Sequence, residues 1–407
     1  MKLENFDISA FDDCAKCSIC VENCPVTKVN PEFPGPKQLG PDWLRIAQKG
    51  ELIPNPAVNY CTNCKNCEIS CPSGILVASL NQLSKLKLPP KRVNIRLRDS
   101  VFANPAFLGK MTRIWPQGVN FFMGLGLFRS VAEKTIGIAA KTPMPAYSKK
   151  TFSQLFKGYE QKISLNKKVK EVLFFPGCFT KYNKPEIGMS LVKILNKLNY
   201  KVIAPEFKCC GQPAISSSRL DNTEKFAKYN LNILRQYLKK DTPMLFVCPS
   251  CLLTFKEEYI NILGLEEYAE FTSVMKDAGQ FLLEHEDELA TFITKEGKQK
   301  MQLAYHEPCH LKASGLGTPG LSLLNNVAGF NIVPLEAGCC GISGSYGLKA
   351  EKQWISKEIG KNIKDALDEI KPKAAVTECG MCSVQIGNIG QIPVYHPVVL
   401  LAELIKD

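Results

Sequence analysis

The chain has 407 residues, a formal net charge of +12, 45% hydrophobic and 22% charged residues. That balance excludes a chain disordered along its length and accommodates roughly two to four domains. Cysteine is the anomaly at 18 residues. The acidic start MKLENFDISAFDD lacks the apolar run of a secretory signal, so thiols are expected to stay reduced and metal or redox chemistry leads over disulfides.

Eight cysteines open the chain. Residues 14–25 read CAKCSICVENCP and residues 61–72 read CTNCKNCEISCP. Both are C-x2-C-x2-C-x3-C-P, the spacing of bacterial two-cluster ferredoxins, in which the fourth cysteine serves the other cluster. The spacing assigns Cys14, Cys17, Cys20 and Cys71 to one [4Fe-4S] cubane, and Cys61, Cys64, Cys67 and Cys24 to a second. Pro25 and Pro72 restrict the backbone after each fourth cysteine. A zinc ribbon or disulfide scaffold is the alternative, and it leaves the second C-x2-C of each motif without a role. Between the motifs, NPEFPGPKQLGPDWLRIA (30–47) reads as loop from its Pro and Gly density, with Asp42 capping a helix that opens at Trp43.

Residues 89–160 carry 12 Lys and Arg against 3 Asp and Glu. Phe121, Leu125, Phe128, Ala132 and Ile136 recur at helical spacing, and Pro89-Pro90, Pro143 and Pro145 punctuate the segment. The uncharged apolar stretch 114–128 has 15 residues and contains Pro116, whereas a membrane span needs about 20. Basic charge beside an apolar face points to a membrane interface, with partner docking or packing onto the first domain as alternatives. No nucleic-acid reader module accompanies the charge.

The remaining ten cysteines repeat at an offset of 130–131 residues. Cys178, Cys209-Cys210-Gly211 and Cys248/Cys251 form one set; Cys309, Cys339-Cys340-Gly341 and Cys379/Cys382 form the other. Strands are expected at 171–175, 201–204 and 244–248, with helices at 186–198 and 223–238. The second copy repeats them with strands at 302–306, 331–335 and 374–379 and helices at 321–327 and 350–370. Alternation of this kind predicts α/β units with parallel sheets, and places each cysteine group just past a strand's C-terminal end, where such sheets bind ligands. The expected fold class is α+β multidomain. A helical two-cluster ferredoxin domain (1–88) leads through the basic amphipathic connecting segment (89–168) to a tandem pair of α/β CCG units (169–290 and 291–407).

The CCG sets resemble the CCG-domain family of heterodisulfide reductase subunits, which implies two non-cubane iron–sulfur clusters; zinc or plain cubanes are the alternatives. NPEFPGPKQLGPD, YCTNCKNCEISCPS, FPGCFTKYNKPEIGMSLVKILN, YHEPCH and CCGISGSYGLK more closely resemble the C subunits of anaerobic glycerol-3-phosphate dehydrogenases, across essentially the whole chain. That resemblance implies an electron-transfer subunit of an oxidoreductase complex in anaerobic respiration. It would pass electrons from the flavin-containing A and B dehydrogenase subunits to menaquinone, as a peripheral protein on the cytoplasmic face of the cytoplasmic membrane. Both CCG sets are complete, which keeps a heterodisulfide-reductase-like enzyme that reduces a disulfide as the alternative.

GLGTPG (315–320) matches G-x-G-x-x-G, yet Cys309 and His310 intervene after the strand, so a glycine-rich loop is expected and no flavin on this chain. His306, His310 and His396 are candidates for proton delivery or for tuning cluster potential. His285, within EHEDE, reads as a solvated surface residue.

Overall fold

The structure, a computed structural model, describes residues 13–47, 54–88, 92–164, 169–239, 241–294 and 301–405. The acidic leader and the Pro89-Pro90 break lie outside them. The C-terminal half builds two parallel four-stranded sheets. The first comprises β1 (Lys170–Phe175), β2 (Tyr200–Ile203), β3 (Met244–Phe246) and β4 (Met275–Asp277), in the order β2-β1-β3-β4. The second comprises β5 (Leu303–Tyr305), β6 (Ile332–Pro334), β7 (Ala374–Val376) and β8 (Val394–Tyr395), in the order β6-β5-β7-β8. Every strand pair is parallel, with Val172 opposite Val202 and Phe175 opposite Phe246. Val172, Leu173, Phe174 and Phe175 are all buried, as expected of a central strand with helices over both faces. Sequence periodicity anticipated three strands per unit; β4 and β8, at three and two residues, are too short to show a period.

The units pack about a pseudo-twofold. The Pro185–Lys197 helix of the first lies on the Pro397–Glu403 helix of the second, and the Ala278–Leu283 helix of the first on the Pro319–Asn326 helix of the second. Leu191, Leu195, Phe281, Leu323 and Leu401 share one continuous core. Burying the helix faces this way removes several apolar side chains from water, each contributing about 1.5–3 kcal/mol.

Three expectations are corrected. Residues 36–47 are helical, with a π-helical segment Gln38–Asp42 running directly into Trp43–Ala47. Asp42 is thus inside a helix and pairs with Lys37 (3.0 Å) and Arg45 (3.3 Å) instead of capping one. The periodic face 121–136 is two helices, Pro116–Gly124 and Gly126–Ile136, broken where Leu125 is extended between two glycines. His285 is half-buried: its Nδ1–H donates to the Phe281 carbonyl and its Nε2 accepts from the Tyr200 hydroxyl, both at 2.9 Å.

The connecting segment is anchored by charge. Arg98, 1% exposed, donates to Asp99, Glu351 and the Gly137 carbonyl, and Lys349 pairs with Asp99 at 3.0 Å. Among the described residues no helix is long and apolar enough to cross a membrane.

Candidate metal centres

All 18 cysteines are unbridged thiols. In the N-terminal domain the two loops share one backbone trick. Lys16 and Ser18 in the first, and Asn63 and Lys65 in the second, have φ of 57–66°. Left-handed residues between ordinary ones turn successive N–H groups inward into nests that favour anionic groups, iron–sulfur clusters included. For non-glycine residues each such turn costs about 1–2 kcal/mol. The strain falls at the same two positions of each motif because three thiols at x2 spacing converge only if the chain reverses between them.

Cys14, Cys17, Cys20 and Cys71 line one cavity. Burial, then the neighbouring thiols, pushes Cys20 up to about 11. Cys67 is raised by burial and by Cys64, Cys61 and Cys24 together, so the second four also converge. Mutual repulsion among buried thiolates is what a cationic iron centre relieves, so these donor sets fit the clusters the motifs imply.

In the CCG units the same contact chain is drawn twice. Sulfur contacts join Cys178 to Cys209, Cys209 to Cys210, Cys210 to Cys251 and Cys251 to Cys248. They likewise join Cys309 to Cys339, Cys339 to Cys340, Cys340 to Cys382 (3.2 Å) and Cys382 to Cys379. Cys210 and Cys248 in the first set, and Cys340 in the second, are pulled below the ordinary range by their neighbours' S–H donors. The cysteines follow β1, β2 and β3, or β5, β6 and β7. Chain order reverses across the central pair, opening the crevice where parallel sheets bind ligands. Gly211 and Gly341 sit at φ +88° and +85°; a Cβ there would meet Thr223 Cγ2 at 2.5 Å or the Ser356 carbonyl at 2.3 Å.

The two CCG sets face each other. Cys178, Cys210, Cys248 and Cys251 line one cavity together with Cys309, Cys340, Cys379 and Cys382, and Cys64 of the N-terminal domain reaches the same space. Cys64 also lies within electrostatic range of Cys309 and Cys339. Cys24 and Cys339 share a hydrophobic cluster with Val26 and Tyr346. The second ferredoxin set therefore abuts the second CCG set, a juxtaposition no local spacing encodes.

The histidines divide. His310 Nε2–H donates to the Asn63 carbonyl and its Nδ1 accepts from the Ser250 hydroxyl, both at 2.8 Å, tying all three cysteine-bearing parts together. His396 Nε2–H donates to the Val247 carbonyl at 2.8 Å while its Nδ1 caps the following helix at Val398. Desolvation pushes His396 down to about 4 and lowers His310, so both are neutral. His306 has neither nitrogen hydrogen-bonded. Sequence reasoning missed the junction beneath His310: buried Lys65 pairs with Glu68 (3.1 Å) and Glu258 (3.7 Å), and Asn63 donates to Glu258 (2.8 Å). The GLGTPG loop follows the Cys309–Ala313 helix, not a strand.

Residues 10–75 match the 4Fe-4S dicluster domain, and residues 172–256 and 303–387 each match the cysteine-rich (CCG) domain. Fold and site thus define a class, the iron–sulfur proteins that join a dicluster domain to paired cysteine-rich domains. Over 402 residues the chain is 31% identical to the C subunit of the anaerobic glycerol-3-phosphate dehydrogenase of Escherichia coli, spanning 97% of this chain and 98% of that protein, and it belongs to that family. It is 25% identical to the B subunit of the fumarate reductase (CoM/CoB) of Methanothermobacter marburgensis (98% of this chain, 74% of that protein). To the D subunit of the dihydromethanophenazine:CoB–CoM heterodisulfide reductase of Methanosarcina barkeri it is 23% identical (93% and 88%). The chain is an iron–sulfur subunit of this dehydrogenase- or reductase-like group of oxidoreductases.

Proposed function

We propose that the chain conducts electrons from the flavin-containing A and B dehydrogenase subunits to menaquinone, docked peripherally on the cytoplasmic face of the membrane. The observation that carries this reading is the succession of sulfur sets, from the half-open Cys14/Cys17/Cys20/Cys71 group, through Cys61/Cys64/Cys67/Cys24, to the paired CCG sets. The two ferredoxin sets would each hold a [4Fe-4S] cubane and the two CCG sets a non-cubane cluster apiece. Bound clusters supply one-electron chemistry at potentials set by their surroundings. The chain's own residues hold the sets adjacent, and the buried Asn63–His310–Ser250 bridge fixes their spacing.

Membrane docking is supported by apolar side chains left open on the connecting helices. Ile114, Leu127 and Trp115 are 91%, 80% and 60% exposed, beside Phe121, Phe122 and Phe128. An exposed apolar patch on a basic segment suits an anionic lipid interface.

A second reading, disulfide reduction at the CCG sites, is favoured by one observation: both sets line a common cavity. One assay separates the readings. The anaerobic complex, given glycerol 3-phosphate, should reduce a menaquinone analogue and release no thiols from added disulfides. Thiol release without quinone turnover would install the reductase. Iron and labile sulfide should approach about 16 atoms each per chain, from four four-iron sites; stoichiometric zinc would sink both readings.

A further inference from the structure

The two CCG units repeat in topology and cysteine contacts, but among the described residues only the second brings a histidine nitrogen up to its cysteine sulfurs. His306 directly follows β5, is 1% exposed, and has both ring nitrogens buried without a hydrogen-bond partner. One ring nitrogen, Cys340 Sγ and Cys382 Sγ all lie within 4.8 Å of one another, with the two sulfurs 3.2 Å apart. A buried imidazole with no partner loses its hydrogen bonds to water without replacement, at a cost of about 1–3 kcal/mol. Nearby protein groups do not offset that cost; a metal would. Among the described residues the first unit offers nothing equivalent. Counting back three residues from the first cysteine of the set reaches Phe175, whose ring packs among Phe207, Phe246 and Phe255. Counting from the strand end reaches Pro176. Neither carries a donor atom.

We propose that His306 is a nitrogen ligand of the second CCG metal centre, giving that site a mixed imidazole–thiolate donor set while the first is held by thiolates alone. Both sets keep five cysteines, so the neutral imidazole adds a donor to the second centre without adding negative charge; an anionic thiolate in its place would lower the potential, as Cys ligation does relative to His in other iron–sulfur centres. The second CCG site, which lies beside Cys64, is thereby chemically distinct from the first. This inference rests on the reading that the cysteine sets hold iron.

The test uses the full chain, reconstituted anaerobically with iron and sulfide after growth on ¹⁵N-histidine. Pulsed EPR of the signal that Cys340→Ser abolishes should show a strong nitrogen hyperfine coupling of the size direct ligation gives. That coupling should vanish in His306→Cys, which puts an anionic thiolate donor in place of the imidazole, with iron content kept and the midpoint potential shifted downward. It should persist in His310→Gln. A wild-type signal with iron present but only weak or absent nitrogen coupling overturns the proposal while leaving the cluster reading intact, and so does coupling that survives in His306→Cys. Should His306→Cys fail to fold, loss of the coupling in His310→Gln overturns it equally. Absence of iron from the second set overturns both the proposal and the reading beneath it.

Discussion

At the scale of single residues, the cysteine positions work only because particular neighbours accept unusual conformations. Gly341 is the clearest case: a Cβ at φ +85° would drive into the Ser356 carbonyl, a backbone atom that cannot swing away. Gly341→Ala should therefore collapse the second CCG site, read as a loss of about a quarter of the iron per chain. Gly338, also left-handed (φ +69°) but with open space around it, should tolerate alanine at a cost of about 1 kcal/mol and keep its iron. His396 sets a pH dependence. Its folded pKa is about 4 against an ordinary 6.5. Between those values the unfolded chain binds a proton that the folded chain excludes, so stability falls as pH drops through that window, by about 3 kcal/mol in all. Asn can cap the same helix without titrating. The drop in Tm from pH 7 to pH 5 should accordingly be smaller in His396→Asn than in the unsubstituted protein. Buried Asp277 and Glu378, raised to about 6 and about 8 by desolvation, act in the opposite sense. They stabilise the fold at low pH and lose that contribution as pH rises through those values, in both proteins alike.

At the scale of elements, the connecting segment is held at one end and open at the other. Arg98, Asp99, Lys349 and Glu351 lock its first helix to the second CCG unit. Arg98→Met should leave Asp99 paired to Lys349 but strand part of the carboxylate charge, destabilising by about 3 kcal/mol, measured by Tm. The helices at 116–136 instead present Phe121, Phe122 and Phe128 outward, with exposures of 63%, 44% and 51%. Changing all three to Ser should lower Tm, because the rings are half-buried against one another and Trp115, so flotation is compared well below that Tm. It should weaken flotation of the complex with anionic vesicles, and high salt should weaken it further by screening the basic charge. Flotation unaffected by the triple change would put the membrane contact elsewhere.

At the scale of the molecule, the pseudo-twofold turns two similar units so that their cysteine loops converge, while the N-terminal domain seals one side through Asn63, Lys65 and His310. That arrangement gives the sites an order. Cys64 lies beside the second CCG set, so electrons from the ferredoxin sets should reach that set before the first. Rapid freeze-quench EPR after mixing with reduced partner subunits should show the second-set signal rising first, and Cys64→Ser should slow its rise markedly. Equal delay of both sets would indicate a separate entry point.

What the sequence determined by itself is local. The C-x2-C-x2-C-x3-C-P loops, the repeat at an offset of 130–131 residues and the strand–helix alternation are encoded over short stretches. The structure follows them at Lys170–Phe175, Pro185–Lys197 and Gln353–Ile370. Where local signals compete, the sequence misleads. Pro and Gly between 34 and 41 suggested loop, yet packing of the Gln38–Asp42 segment against the Val77–Leu86 helix holds a π-helical turn there. Only the tertiary structure decided that both CCG sets share one cavity, that Cys64 abuts Cys309 and Cys339, and that His306 faces Cys340 and Cys382 while His310 and His396 join units. The two bonds of the His310 ring alone join residues 60 and 247 positions apart. Such relations follow from how buried helix faces stack about the pseudo-twofold, a packing outcome that no spacing of neighbouring residues specifies.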